Sequence, residues 1–307
     1  MKTSLRTYFA IILAMIFWSF SFIWFKIANE TYLPLTIVFI RLVIAVVLLT
    51  IFLFLTGGFV KIKKVDRKYF FVLALFEPFF YFLGESFGLT YVSATVGSVI
   101  ISTIPVIAAL GAWIFYREKL RIINYAGIIL SFIGVIIFIL NKDGAISFNI
   151  KGLVLLLLAV LSAVGFNLTL NRLVGTYSPV FIVTVQNIIG VTLFLPLFLF
   201  ADLLQFINTP FAAKSIIPII ELSVFASCGA FILFAYSIQK IGVSRANVFT
   251  NSIPIFTAVF SFFILGDKLT LQNIAGMAIV ITGLFMSQIN GRQKKADEGL
   301  ALTSKTA

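Results

Sequence analysis

Hydrophobic residues along this chain do not alternate with polar ones at strand or amphipathic-helix spacing. They come in long blocks separated by short polar breaks. Each block is of the length needed to cross a hydrocarbon core roughly 30 Å thick. The breaks predict ten helices: Tyr8–Ile27, Pro34–Thr56, Tyr69–Gly88, Ser93–Tyr116, Arg121–Leu140, Lys151–Arg172, Pro179–Phe200, Ile216–Gln239, Arg245–Leu265 and Leu271–Ile289. Gly57-Gly58 closes the second, and Arg117-Glu118-Lys119 turns the fourth into the fifth. The first block follows Lys2 and Arg6, as in a signal peptide. It is too long for a typical signal core and nine further blocks follow, so it reads as a retained helix.

The pattern repeats. Val99–Gly134 aligns without a gap on Val248–Gly283 at an offset of 149, with ten identities in 36 positions. The shared residues include Ile104-Pro105 and Ile253-Pro254, Lys119-Leu120 and Lys268-Leu269, and Gly127 and Gly134 with Gly276 and Gly283. Thr31-Tyr32-Leu33-Pro34 resembles Thr176-Tyr177-Ser178-Pro179 at an offset of 145. A fixed-offset match is the mark of duplication. The unit is five helices, so the second copy is expected upside down relative to the first, as in many secondary transporters. The expected organisation is a first repeat over 1–140, a connecting loop over 141–149, a second repeat over 150–290 and a disordered tail over 291–307. The fold class is an all-α membrane protein of ten transmembrane helices in two inverted five-helix repeats.

Composition agrees with that class. The 307 residues are 61% hydrophobic and 11% charged, against about a quarter charged in soluble domains. Charge placement gives an orientation. Of 23 Lys and Arg, 17 fall on the side of the two termini, 5 on the opposite side, and Arg41 lies within a helix. The positive-inside rule then puts both termini in the cytoplasm. The net charge of +12 is no argument for nucleic acid, because no soluble segment is long enough to present a binding surface. There is no histidine and one cysteine, Cys228, which removes disulfides and common Cys/His metal sites. No cofactor is expected.

The candidate chemistry is polar residues inside the blocks. Arg41, Glu77, Glu85 and Glu221 are charges in apolar helices, each a site hypothesis because such a charge costs about 2.5–3.5 kcal/mol at the bilayer centre. The depths of Arg41, Glu77 and Glu85 allow an Arg41–Glu77 or Arg41–Glu85 pair. None of the four has a charged twin in the other repeat, so the duplicated scaffold does not demand them. Glu77 and Glu85 are the candidates for proton coupling; Glu85 and Glu221 also read as solvated, near-surface groups. The neutral set Trp18, Ser21, Asn167, Gln186, Asn187, Asn247 and Asn251 is expected to line a polar cavity with Arg41 and Glu77, the competing role of any single amide being helix-to-helix glue. Pro105 and Pro254 break their helices and serve as hinges or as static kinks, with Thr103 and Ser252 placed to bond freed carbonyls. Gly84 and Gly88 form a GxxxG pair suited to close helix packing.

The order and duplication of these motifs resemble the EamA-type drug/metabolite transporter family of bacterial ten-helix permeases. The residues that carry the likeness are the paired Ile-Pro, Glu118-Lys119-Leu120 with Asp267-Lys268-Leu269, the four glycines and Tyr91-Val92-Ser93-Ala94. The resemblance implies an inner-membrane carrier with a central cavity that exports amino acids, other metabolites or toxic compounds. The coupling glutamate that small four-helix multidrug exporters carry in their first helix has no counterpart here. The expected partners are the lipid bilayer, a small-molecule substrate and protons; a monomer suffices and a dimer is compatible. An intramembrane protease or hydrolase would need paired Asp, Ser with His, or a metal. The five Asp lie in or beside predicted loops and histidine is absent, so an enzyme is the least favoured class. A channel would more often be built around a symmetric subunit pore, and no filter-like repeat is visible in the sequence.

Overall fold

The computed structural model describes residues 5–108, 122–139, 149–267 and 270–288. The Arg117-Glu118-Lys119 turn, most of the connecting loop, Lys268-Leu269 and the tail lie outside the described residues. Every regular element among the described residues is helical. Among the described residues, seven helices are long and apolar enough to cross a membrane: α1 (Leu5–Asn29), α2 (Pro34–Thr56), α3 (Arg67–Tyr91), α6 (Ile150–Leu173), α7 (Pro179–Asn208), α8 (Ala213–Ile241) and α9 (Arg245–Ile264). Three shorter apolar helices are described beside them: α4 (Ala94–Ala108), α5 (Ile122–Ile137) and α10 (Leu271–Ser287).

Local sequence sets the boundaries. Pro34 and Pro179 open α2 and α7 at the first helical position, where a missing N–H costs nothing. Ser178 Oγ also caps α7 by accepting from the Phe181 N–H at 3.3 Å. Gly57 ends α2 in the left-handed conformation (φ 63°), which glycine adopts without a Cβ clash. Inside the spans, hydroxyls return to the preceding turn, as Ser19 does to Met15 O at 2.7 Å and Thr184 to Val180 O at 2.7 Å. Apolar side chains such as Phe52, Phe54 and Leu55 stay exposed on the outer surface of α2, as a lipid-facing helix requires.

Lipid tails are as apolar as leucine, so helix association here depends on close approach rather than on escape from water. The glycines supply it. A Cβ on Gly127 of α5 would lie 2.3 Å from Ser287 N and 2.7 Å from Gly283 O of α10, and one on Gly134 would lie 2.9 Å from Gly276 O. The four glycines read from the repeat therefore meet one another, Gly127 with Gly283 and Gly134 with Gly276, which makes α5 and α10 cross antiparallel. Gly84 and Gly88 pack α3 on α6, with Leu155 O 2.4 Å from a Cβ built at Gly84. The GxxxG pair thus serves an intramolecular contact.

Three helices depart from the continuous rods expected. α3 is broken at Glu77, whose backbone is extended (φ −146°, ψ 120°), with Pro78 following through a cis bond. α8 widens into π-helical turns over Leu222–Ala230, the stretch that corresponds at offset 149 to the α3 break. α7 runs on past Phe200 to Asn208. Asp202 therefore sits inside a helix and is buried, not in or beside a loop. Its carboxylate accepts from Thr36 N at 2.9 Å and from Thr36 Oγ1 at 3.1 Å, satisfying an orphan donor at the start of α2.

Candidate functional site

A cavity lies among α1, α2, α3, α4, α6, α8 and α9. The break in α3 lies on its wall. An extended residue in mid-helix turns the Glu77 side chain out of the helical spiral, and two glycines make room for the flanking rings. A Cβ on Gly165 of α6 would sit 2.6 Å from the Phe76 ring, and one on Gly190 of α7 would sit 2.4 Å from the Pro78 ring.

Trp18, Ser21, Arg41, Glu77, Glu85, Asn167 and Asn247 all line this cavity. Arg41 is buried, donates from Nε to Ser227 Oγ at 2.9 Å and lays its guanidinium over the Phe82 ring, 4.1 Å from the centroid. Its terminal nitrogens make no hydrogen bond to a described residue. No ion pair within 4.0 Å forms between Arg41 and either glutamate among the described residues. Arg41 and the two glutamates share the cavity without pairing directly. Glu77 likewise has no hydrogen-bond partner among the described residues, while Glu85 Oε1 accepts from Tyr81 Oη at 2.9 Å. The site thus holds one guanidinium and two carboxylates, with the guanidinium tips and the Glu77 carboxylate free to bind.

Gln186, Asn187 and Asn251 are not on the wall. Gln186 and Asn251 are buried beyond it, and Asn187 donates to Ser227 O at 3.4 Å, one shell behind Arg41. Neither amide atom of Asn251 has a partner among the described residues. α7 contributes nothing to the lining, because it packs on the outside of α2 and α3. Glu221 is half-buried near the start of α8, away from the cavity. At the two prolines, α4 opens into a turn at Ser102–Thr103 and α9 tightens into a 3₁₀ turn at Thr250–Ser252. Thr103 Oγ1 bonds Ile100 O at 2.6 Å and Ser252 Oγ bonds Phe249 O at 2.7 Å. These are the same contact at offset 149, one residue before the carbonyls that the prolines free.

Sequence reading missed the aromatic wall: Phe22, Tyr81, Phe82, Phe166, Phe231 and Phe234. Trp18 meets Phe231 and Phe234 edge-on, with centroids 5.3 and 4.9 Å away. Among 36 phenylalanines nothing local distinguishes these. The repeat does. Trp18/Ala163, Ser21/Phe166 and Phe22/Asn167 are pairs at offset 145, and Phe82/Phe231, Glu85/Phe234, Ile101/Thr250 and Ile104/Ile253 are pairs at offset 149; all fourteen residues line the cavity. Equivalent positions of the two halves thus face each other across it. Arg41, Glu77, Tyr81 and Asn247 break the symmetry, their twins being Gln186, Ala226, Ala230 and Ser98.

The EamA-like transporter family model matches the chain twice, over residues 5–140 and 150–288. The chain belongs to the EamA-like transporter family. This EamA-like protein is similar to an uncharacterized transporter of Archaeoglobus fulgidus, 26% identical over 92% of this chain and 98% of the relative. It is also similar to the uncharacterized transporter YcxC of Bacillus subtilis, 26% identical over 95% of this chain and 96% of the relative. A solved crystal structure superposes with a TM-score of 0.69 at 11% identity, covering 94% of this chain and 99% of that one; at that identity it speaks for the fold alone. Membership and the apolar helices make this a multi-pass membrane protein of a transporter family, and its relatives are named as transporters rather than enzymes.

Proposed function

We propose that this protein is a secondary carrier that moves a small zwitterionic metabolite, such as an amino acid, across the bacterial inner membrane. The observation that carries the reading is the cavity between the halves, where a guanidinium and a carboxylate, Arg41 and Glu77, each lack a protein partner at their tips. Arg41 would receive the carboxylate of the cargo and Glu77 its ammonium group, while the Trp18, Phe231 and Phe234 wall takes an apolar side chain. Arg can hold a carboxylate through two parallel hydrogen bonds. In a water-poor cavity such contacts are worth more than in bulk solvent.

The halves act as ten helices in two inverted repeats, with both termini cytoplasmic. The antiparallel α5–α10 crossing and the twin positions around the cavity support an axis in the membrane plane. Two similar packings, one open to each face, follow from exchanging the conformations of the halves. The wide turns at equivalent levels of α3 and α8, and the twin proline turns at Pro105 and Pro254, are where the helices bend in that exchange. Export is the favoured direction, by resemblance to the family. Glu77 and Glu85 are the groups that would exchange a proton for cargo.

Counterflow in proteoliposomes tests this reading. Vesicles loaded with a panel of amino acids and small cationic metabolites are expected to show saturable exchange of one zwitterionic class, lost in Arg41→Gln. Uptake that rises linearly with concentration and shows no trans-stimulation would favour a channel instead.

A further inference from the structure

Two clusters of contacts outside the cavity tie one half of the chain to the other, and they are the same cluster made twice. On the face that carries the α2–α3 loop, Tyr177 Oη donates to Asp66 Oδ2 at 2.8 Å and accepts from Lys63 N at 3.1 Å. Tyr177 precedes α7, so this joins the second half to the loop of the first. At the other end of α2, Tyr32 Oη accepts from Ala212 N at 3.4 Å, and Thr31 Oγ1 lies 2.7 Å from Ser215 Oγ. Tyr32 precedes α2, and Ala212 and Ser215 flank the start of α8, so this joins the first half to the loop of the second.

The backbone contacts correspond residue for residue, while the side-chain partner is Tyr177 at Asp66 and Thr31 at Ser215. Tyr32 and Tyr177 are twins at offset 145; Lys63 and Ala212, and Asp66 and Ser215, are twins at offset 149. Each tyrosine thus bonds the backbone N–H of the residue equivalent to the one its twin bonds, in the opposite half. The two clusters lie at opposite ends of α2, whose 23 residues span roughly 34 Å at 1.5 Å per residue. They therefore sit on opposite membrane faces.

We propose that these two tyrosine clasps are the gates of the carrier, one per face, and that transport requires them to open in turn. The proposal rests on the alternating-access reading above and adds to it which contacts must break. Opening the cavity to one face means parting the two halves at that face, and these bonds are among those that bridge the halves there, with Asp202 to Thr36 adding two more at the Tyr32 end. The clasps are not equal. Tyr177 makes two hydrogen bonds, one of them to a carboxylate and so stronger than a neutral one. Tyr32 makes one long bond, reinforced by the Thr31–Ser215 contact and by Lys214 Nζ to Glu30 Oε2 at 2.8 Å, an exposed pair of small worth. The Tyr177 hydroxyl therefore carries more of its own clasp than the Tyr32 hydroxyl does.

The test reads the two faces separately. With Cys228→Ala as background, Ser21→Cys places a single thiol in the cavity, and a membrane-impermeant maleimide is applied to sealed vesicles of each orientation. Tyr177→Phe keeps the ring and loses the hydroxyl. It is expected to raise labelling from the Tyr177 face about three- to tenfold, the effect of one or two hydrogen bonds on a two-state balance, and to lower labelling from the other face. Tyr32→Phe is expected to shift the ratio the opposite way by a smaller factor. Asp66→Ala attacks the first clasp from its other side; its side chain caps no helix N–H, so it should reproduce Tyr177→Phe and add little to it. Labelling that rises from both faces in both variants would mark a general loosening and overturn the proposal. Labelling from both faces in the parent with unchanged ratios in all three variants would overturn the clasps while leaving alternation intact. A thiol reached from one face alone in every protein would overturn both.

Discussion

Replacing Gly127 with alanine should destabilise the protein through a single crossing. The added Cβ would lie 2.3 Å from Ser287 N, 2.7 Å from Gly283 O and 2.7 Å from Met286 C. All three are backbone atoms, so no side chain can rotate away. Ordinary contact begins near 3.4 Å, so α5 and α10 must separate by about 1 Å along their whole shared length. Overpacking of this kind costs about 1–3 kcal/mol. In a membrane the loss falls on van der Waals contact and on the close approach that small residues permit. Gly283 is the opposing surface, and a Cβ there would lie 2.4 Å from Ser131 N. Gly283→Ala should therefore cost a similar amount, and the double variant much less than the sum, because one separation relieves both clashes. Gly175, which has nothing within 4 Å of an added Cβ, is the control, expected within about 0.5 kcal/mol of the parent. Reversible SDS titration in mixed micelles, followed by far-UV circular dichroism, measures all four. Full additivity, or a Gly127→Ala protein as stable as Gly175→Ala, would refute the crossing.

Asp202→Ala should leave the Thr36 N–H and hydroxyl without a partner in a buried site and cost about 1–3 kcal/mol in the same titration, with Asp202→Asn recovering part of it. Burial pushes the Tyr177 hydroxyl above its ordinary value of 10.0. A raised folded-state value means its stabilisation is complete below pH 10 and is lost as pH climbs through the folded value, so the stability advantage of the parent over Tyr177→Phe should be level near neutrality and shrink in alkaline titrations. Gly190→Val should push against the Pro78 ring and displace the α3 break, reducing cargo binding in equilibrium dialysis more than a bulky change at exposed Gly175 does.

Much of the scaffold was legible because membrane helices are written in blocks and duplication is written in offsets. Gly127, Gly134, Gly276 and Gly283 are the clearest case. The sequence paired them along the chain, and the structure pairs them again across a crossing. Pro105 and Pro254 likewise mark turns that share one hydroxyl contact. The α3 break was less visible. Pro78 follows Glu77 directly, and a proline in mid-span signals a disturbed helix, but the position reads as an unbroken apolar run unless that proline is weighed. Asp202 sat beyond the expected end of α7 because hydropathy falls off there while the helix continues. Gln186, Asn187 and Asn251 share amide chemistry with the cavity-lining Asn167 and Asn247, and only the direction each helix turns separates them. The aromatic wall was hidden by abundance, since a phenylalanine facing lipid and one facing a cavity look alike until twin positions are compared.

The central claim is that Arg41 and Glu77 hold opposite ends of a cargo that the two halves pass between the faces. Counterflow of a zwitterionic amino acid panel, at two pH values, in the parent, Glu77→Gln and Arg41→Gln tests it most directly. The account predicts saturable exchange in the parent, weakened exchange without pH dependence in Glu77→Gln, and loss of exchange in Arg41→Gln with the protein still folded. Exchange that persists unchanged in both variants would contradict it.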